Sequence, residues 1–470
     1  MKCFSSCSLK ARPLFKWLAF ATKMLKMKSN EESLRKAFLP AQLALKYHPF
    51  YRGKIEIVPR CPIRSFDDFA IWYTPGVAEA CDAIKNRPEA VFENTNKWNT
   101  IAIVTDGTRV LGLGDIGPEA GLPVMEGKAL LFKYLGGVDA FPICLGTTDT
   151  QEIISAVKWI QPSFGGINLE DIAQPKCFEI LDALQTQLDI PVWHDDQQGT
   201  GTVVLAGFIN ALKYVGKKIS EVKVSMIGAG AANVALARLL ILTGAKPGNL
   251  ILVDSRGTLH KNRTDLERIS PKKWELCKIT NSEGIEGNIE ATFNGADACI
   301  ALSKPGPGVI SKEMVMKMND NAIVFACANP IPEIWPWEAE EAGAAVVATG
   351  RSDFPNQLNN SLGFPGIFRG TIDVRAKTIT DQMCLAAANE LAKLAEERGL
   401  TTKNIVPTMD DWEVFPREAT AVAAKAIEQG LARNKRSREE IYASARAIIK
   451  RAREETKFLM RSGFIQEFPT

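Results

Sequence analysis

The chain has 470 residues, 46% hydrophobic and 24% charged, an ordinary globular balance with room for two or three domains and a large core. A net charge of +3 gives no reason to expect nucleic acid or a membrane surface as partner, and no run of roughly 18 uncharged apolar residues is present to cross a bilayer. Ten cysteines lie scattered without a Cys-x-x-Cys pair, and the three histidines leave little for a zinc site, so the cysteines read as reduced fillers in a cytoplasmic compartment.

The first 30 residues hold seven Lys/Arg and no Asp/Glu. The apolar stretch 15–25 is interrupted by Lys16 and Lys23, a poor signal peptide. A basic leader, or an upstream start with Met24 and Met27 also able to begin the chain, is favoured over organellar targeting. Residues 30–47 place Leu34, Ala37, Phe38, Ala41 and Leu45 at helical spacing, with Pro40 as a kink or break. KIEIVPRCPI at 54–63 alternates like an edge strand. NTIAIVTDGT reads as a strand ending in an Asp-Gly turn, TRVLGLGDIG as another strand, GKALLFKYLGG as a helix and VDAFPICLGT as a strand. A helix over 148–159, the strand SFGGINLED, the helix PKCFEILDALQTQL, the strand DIPVWHDD and a helix over 202–215 follow. Such alternation implies a largely parallel α/β sheet. A second α/β unit opens near 221 with the strand EVKVSMIG, a helix over 231–242 and the strand NLILVDS. ADACIALS, AIVFACAN and AAVVATG continue it. Beyond 370 the chain turns helical, with helices over 380–398 and 416–429 stopped by Gly399 and Gly430. The Arg-rich tail from 431 reads as a solvated or oligomer-packing helix.

Between strand and helix, Gly228, Ala229, Gly230, Ala231, Ala232 and Asn233 form a Gly-x-Gly-x-x-Asn turn. Gly228 permits the tight bend, Gly230 lets the backbone approach a pyrophosphate, and the helix start offers free N–H donors. Asp254 ends the next strand 26 residues after Gly228, where an acid can bond the adenosine ribose. Asp254 argues for NAD; Ser255 and Arg256 beside it could hold a 2′-phosphate and argue for NADP, so both stay open.

Two acidic pairs stand near strand ends: Glu170 with Asp171, and Asp195 with Asp196. Adjacent carboxylates repel, and Mg2+ or Mn2+ held by oxygen ligands would compensate them; helix capping would explain either pair alone equally well, and two pairs together favour the metal. Other polar residues suit a small diacid. Arg109 can grip a carboxylate. Lys128, among mostly apolar neighbours that would lower its pKa, can serve as a base. Tyr73 can act as an acid, while Asn329, Asn359 and Asn360 can bond a carboxylate or a nicotinamide amide. Singly, each is better explained by surface pairing, snorkelling or loop capping.

Together the blocks YTPGVAEAC, TDGTRVLGLGDIG, GLPVMEGKALLFKYLGGVDAFPICL, INLEDIAQPKCFEI, VWHDDQQGT, MIGAGAAN, CANPIPEI and FPNQLNNSLGFPGIFRG resemble the malic enzyme family, in order and over roughly residues 50 to 430. The resemblance is to the short prokaryotic-type form. It implies an N-terminal malic-enzyme α/β domain, a Rossmann-type NAD(P)-binding domain and a helical C-terminal region. The boundaries expected are 1–50 for a leader and helical segment, 51–198 for the catalytic domain and 199–435 for the dinucleotide domain. That last has its Rossmann core at about 220–360 and later helices returning to the first domain; a basic C-terminal helix fills 436–470. It implies oxidative decarboxylation of malate to pyruvate with NAD or NADP and Mg2+ or Mn2+. Tyr73 would be the general acid, Lys128 the base and Asp195 its orienting acid. Glu170, Asp171 and Asp196 would be metal ligands; Arg109, Asn329, Asn359 and Asn360 would face substrate. The turn, Asp254, Arg256 and Asn329 would face the dinucleotide. A homodimer or higher homo-oligomer is expected. The alternatives are a malolactic enzyme that retains its NAD and, more distantly, an inactive dinucleotide-binding sensor.

Overall fold

The structure is a computed structural model that describes residues 39–469; the basic leader and the expected helical residues 30–38 lie outside the described residues. The described chain forms two compact units. In the smaller, a helix runs through 39–51, and the rings of Tyr47 and Phe50 pack on Phe468 at 4.4 and 5.2 Å. The larger, Lys54–Glu467, holds two sheets.

The first sheet is parallel: β1 (Thr100–Thr105), β2 (Asp139–Cys144), β3 (Gly166–Leu169) and β4 (Val192–His194), in the order β2-β1-β3-β4. Every residue of β1, β3 and β4 is buried, which is why they read as continuous apolar runs rather than alternating ones. Helices Pro118–Gly136, Thr150–Ile160 and Lys176–Gln187 make the crossovers. Thr150–Ile160 starts where the Asp149 carboxylate accepts the amides of Gln151 and Glu152, and it buries Ile153, Ile154 and Val157 at helical spacing.

The second sheet has the order β10-β9-β8-β5-β6-β7: β5 (Val224–Ile227), β6 (Leu250–Asp254), β7 (Gly257–Thr258), β8 (Ala298–Ala301), β9 (Ala322–Ala326) and β10 (Ala344–Thr349). Only the two-residue β7 runs antiparallel. After β10, helix Phe364–Asp373 packs on the first sheet's elements: Phe132 meets Phe364 at 4.5 Å and Phe368 at 5.2 Å, and Trp193 meets Phe368 at 6.3 Å. All four rings are buried, and removing one such ring from a core costs about 3–5 kcal/mol. Helix Arg438–Arg461 is basic outside but buries Ile441, Ala445, Ile449 and Ala452 as one stripe.

Two expected strands are absent. Residues 54–63 pair with nothing, and Ile57 is 81% exposed; Pro59 and Pro62 lack the N–H a ladder needs. TRVLGLGDIG is a loop with one bridge, Val110 to Gly114, because the Arg109 amide is bonded to the Asp171 carbonyl instead. Helices Val77–Asn86 and Phe364–Asp373 were not foreseen as such; the second is buried at every position, and its polar residues Arg369 and Asp373 pair with each other inside the core rather than facing water.

Candidate active site

Strand register brings the acids together. Leu169 pairs with Val104 on one side and His194 on the other, so Glu170–Asp171 and Asp195–Asp196 leave the sheet at one level. This is the carboxyl edge, where open α/β sheets bind ligands. Oxygens of Glu170, Asp171 and Asp196 lie within 4.8 Å of one another. The Asp171 amide donates to Asp196 Oδ2 at 2.8 Å, and Asn168 Nδ2 donates to Glu170 Oε2 at 2.8 Å. Asn168 was not singled out in the sequence, although a lone amide within a buried apolar strand is a detectable signal.

Lys128 enters from helix Pro118–Gly136 with its ammonium 2.5 Å from Asp195 Oδ2 and 3.1 Å from Glu170 Oε1, beneath the Phe364 ring at 4.4 Å. Apolar surroundings were expected to lower its pKa. Burial does pull it down, but Asp195 and Glu170 outweigh burial and hold the amine above its ordinary range. Two carboxylates contact this ammonium, and Asp171 and Asp196 are grouped with Glu170 beside it. Burial, then repulsion by the neighbouring acids, raises Asp171 to about 8; burial also raises Glu170, against the pull of Lys128. Asp171 Oδ2 is buried with no hydrogen-bond partner. An oxygen-only donor set with surplus negative charge and an unpartnered oxygen suits a hard divalent cation. His194 is fully buried 3.7 Å from Asp196, and burial, outweighing the acids beside it, lowers its pKa below the ordinary imidazole value.

The remaining polar residues divide. Arg109 is exposed; its guanidinium bonds only the Leu111 carbonyl, at 3.0 Å, and pairs with no acid among the described residues. Asn360 lies beside Asp195, since a Cβ on Gly199 would meet both. Asn329 Nδ2 approaches Gly350, whose carbonyl accepts from Asn359 at 3.4 Å. The Asn359 oxygen accepts the Ser361 amide, so this residue caps a turn. Tyr73 follows helix Asp68–Trp72, is 72% exposed, and its hydroxyl makes no hydrogen bond to the Lys128 cluster.

In the second sheet the glycine turn follows β5, next to β8, where the strand order reverses. Gly228 has φ +89°, and a Cβ there would meet the Leu302 carbonyl at 2.7 Å, so only glycine fits. Nothing lies within 4 Å of where a Gly230 Cβ would be, and no side chain caps helix Ala231–Leu242, leaving its first amides open to an anion. Asn233 is buried and donates to the Ile227 and Gly228 carbonyls at 3.0 and 2.9 Å, bracing the turn from beneath. Asp254 is gripped by Arg263 through two bonds of 3.1 Å, with Lys273 at 3.9 Å, while the Arg256 side chain pairs with Asp265. Neither Arg263 nor Lys273 was anticipated from the sequence.

A glycine turn at a strand switch point and a lysine–carboxylate centre on a second parallel sheet define a nicotinamide-dependent oxidoreductase. Residues 52–153 match the malic enzyme N-terminal domain, and residues 197–429 match the malic enzyme NAD binding domain. The chain is 50% identical over 381 residues to an NAD-dependent malic enzyme of Geobacillus stearothermophilus, covering 81% of this chain and 78% of that one. It is 47% identical over 405 residues to a bifunctional malic/malolactic enzyme of Bacillus subtilis, covering 86% and 97%. The crystal structure of Entamoeba histolytica malic enzyme superposes with a TM-score of 0.91 at 47% identity, covering 94% and 92%. The chain belongs to the malic enzyme family.

Proposed function

We propose that the chain converts malate to pyruvate and CO2 with reduction of NAD or NADP, at a centre that takes Mg2+ or Mn2+. The observation that carries this reading is the buried ammonium of Lys128 between Asp195 and Glu170, beside three carboxylates within 4.8 Å of one another. Glu170, Asp171 and Asp196 would hold the cation, and the turn 228–233 with Asp254, Arg256 and Asn329 the dinucleotide. When bound, the cation supplies Lewis acidity toward the hydroxyl and carboxylate of malate, and the nicotinamide takes up hydride. Arg109 orients the substrate by a carboxylate, with Asn329 and Asn360 completing the grip and Asn359 shaping their turn. Lys128 takes the hydroxyl proton as the C2–H bond breaks. Once the charge of Glu170 is matched, Lys128 loses one of its two anionic neighbours and gives up its own proton more readily; Asp195 keeps it aimed. After CO2 leaves, Tyr73 delivers a proton to C3 and pyruvate forms.

In this proposal residues 51–198 carry the chemistry and 199–435 the dinucleotide, in a cytoplasmic homodimer or higher homo-oligomer. Exposed apolar side chains support the assembly: Ile57 at 81%, Phe66 at 90% and Ile71 at 59%, a density that calls for a covering surface. A second copy over that segment would also shelter Tyr73.

The test is absorbance at 340 nm with malate and Mn2+, run separately with NAD+ and NADP+, with pyruvate and lactate quantified. Reduced cofactor matching pyruvate, and abolished by EDTA, is expected. Lactate without net reduced cofactor, or no turnover with either cofactor, refutes the proposal.

A further inference from the structure

Glu333 has no part in the chemistry above, yet its carboxylate is fully buried and fully engaged. Oε1 accepts the Ser303 amide at 2.9 Å and the Ser303 hydroxyl at 3.0 Å, and Oε2 accepts the Ala328 amide at 3.0 Å. Its carbonyl accepts the amides of Gly308 and Ile310 at 3.2 Å, and that of Ile331 accepts Gly306 at 3.3 Å. The loop after β8 is thereby bonded along its length to the loop after β9. A carboxylate is a costly group to bury, so three converging donors mark a built contact rather than filler.

Both loops stand against ligand-facing segments. A Cβ on Gly228 would meet Ser303 Cα and Cβ at 3.0 Å, so the β8 loop backs the glycine turn. A Cβ on Gly112, three residues after Arg109, would meet Pro305 Cγ at 2.5 Å and the Asn329 carbonyl at 2.7 Å. The Arg109 loop therefore rests on the same two loops.

We propose that Glu333 is a positioning residue: it joins the 303–308 and 328–330 loops into one platform that sets the glycine turn on one side and the Arg109 loop on the other. Dinucleotide and malate binding are thereby coupled through a residue that touches neither. This rests on the malic-enzyme reading of the site, and wild-type turnover tests that reading separately.

The experiment titrates reduced dinucleotide by fluorescence and measures malate KM and kcat for the full chain carrying Glu333→Gln, Ser303→Ala or both. In Glu333→Gln the amide turns a donor toward a donor. Dinucleotide Kd and malate KM should each rise roughly ten- to hundredfold, the effect of one lost hydrogen bond to a charged group, with kcat at saturation changed less. Ser303→Ala, which keeps the backbone bond, should raise both by about threefold, and should add little in the Glu333→Gln background. Gly112→Ala, whose added methyl would press on Pro305 and the Asn329 carbonyl, should raise malate KM and, through the shared platform, dinucleotide Kd as well. Unchanged Kd and KM in Glu333→Gln, or a lowered melting temperature with unchanged constants at 25 °C, overturns the proposal, as does additivity with Ser303→Ala. If Glu333→Gln does not fold, Ser303→Ala and Gly112→Ala decide it by the same constants.

Discussion

Replacing Lys128 by Met should destabilise the metal-free protein far more than a surface charge change would. Lys128, Asp195 and Glu170 are 8%, 0% and 4% exposed at the side chain. An exposed ion pair contributes about 0–1 kcal/mol, whereas removing one partner of a buried pair costs about 3–5 kcal/mol because the other charge stays behind. Here two carboxylates stay behind, so the upper part of that range applies. The pH dependence follows from the direction of the shifts. Lys128 is raised above 10.5, so its contribution in the wild type is complete below that value and is lost only as pH climbs through the folded pKa. In Lys128→Met the acids lose their cation and their pKa values rise further. An acid with a raised folded pKa binds a proton on folding, so stability falls as pH rises from about 4 upward. The deficit should be small at acidic pH and full at pH values above the raised pKa. Urea unfolding in EDTA on both sides of that window, followed by circular dichroism, measures it. Lys128→Arg, which keeps the charge, is the control. Mn2+ should restore part of the loss, and kcat should fall by about 10²–10⁴-fold with the base gone. A Met variant within about 1 kcal/mol of wild type at alkaline pH would refute the buried-ion argument.

Tyr73→Phe should block protonation of C3 and lower pyruvate formation by about 10²–10⁴-fold; pyruvate formation and reduction at wild-type rates would remove Tyr73 from the mechanism. Asn233→Ala strips the hydrogen bonds to the Ile227 and Gly228 carbonyls, and should cost about 1–3 kcal/mol and raise the dinucleotide KM. A dinucleotide KM unchanged on titration would show that the turn holds without the brace. Glu418 is fully buried with neither oxygen bonded, and burial lifts its carboxyl well above the usual range. Its folded pKa exceeds the unfolded one, so it lowers stability as pH rises past about 4; Glu418→Gln should flatten that slope. Parallel melting curves for both proteins across pH check it, and identical slopes would contradict the prediction.

The sheet strands and crossover helices were legible because buried parallel strands are unbroken apolar runs, and IAIVT and LILVD announce themselves. The acids at strand ends were legible for the same reason, since strand register fixes their level. What failed depended on distant partners. TRVLGLGDIG carries a strand's composition, but its backbone is claimed by Asp171, from the loop after β3. The Lys128 surroundings look apolar along its own helix, while the acids that decide its charge come from the segments just after β3 and β4. Arg263 lies nine residues beyond Asp254 in a polar loop where nothing local marks it as that acid's partner.

The lysine–acid centre carries a conflict that explains its composition. A base must release its proton near neutral pH, yet a neutral lysine would leave four carboxylates at one sheet edge with no cation. Asp195 and Glu170 outweigh burial and hold Lys128 in its charged form. In the proposed mechanism a cation at Glu170, Asp171 and Asp196 would remove the reason for that charge and leave Asp195 to aim the amine. In that mechanism the group that offsets the charge of the acids would thus also be the group that serves as base. The same logic requires Glu170 to belong to both sets, bonded to Lys128 at 3.1 Å and grouped with Asp171 and Asp196. Of the four acids, Glu170 is therefore the one through which metal occupancy would set the proton affinity of the base.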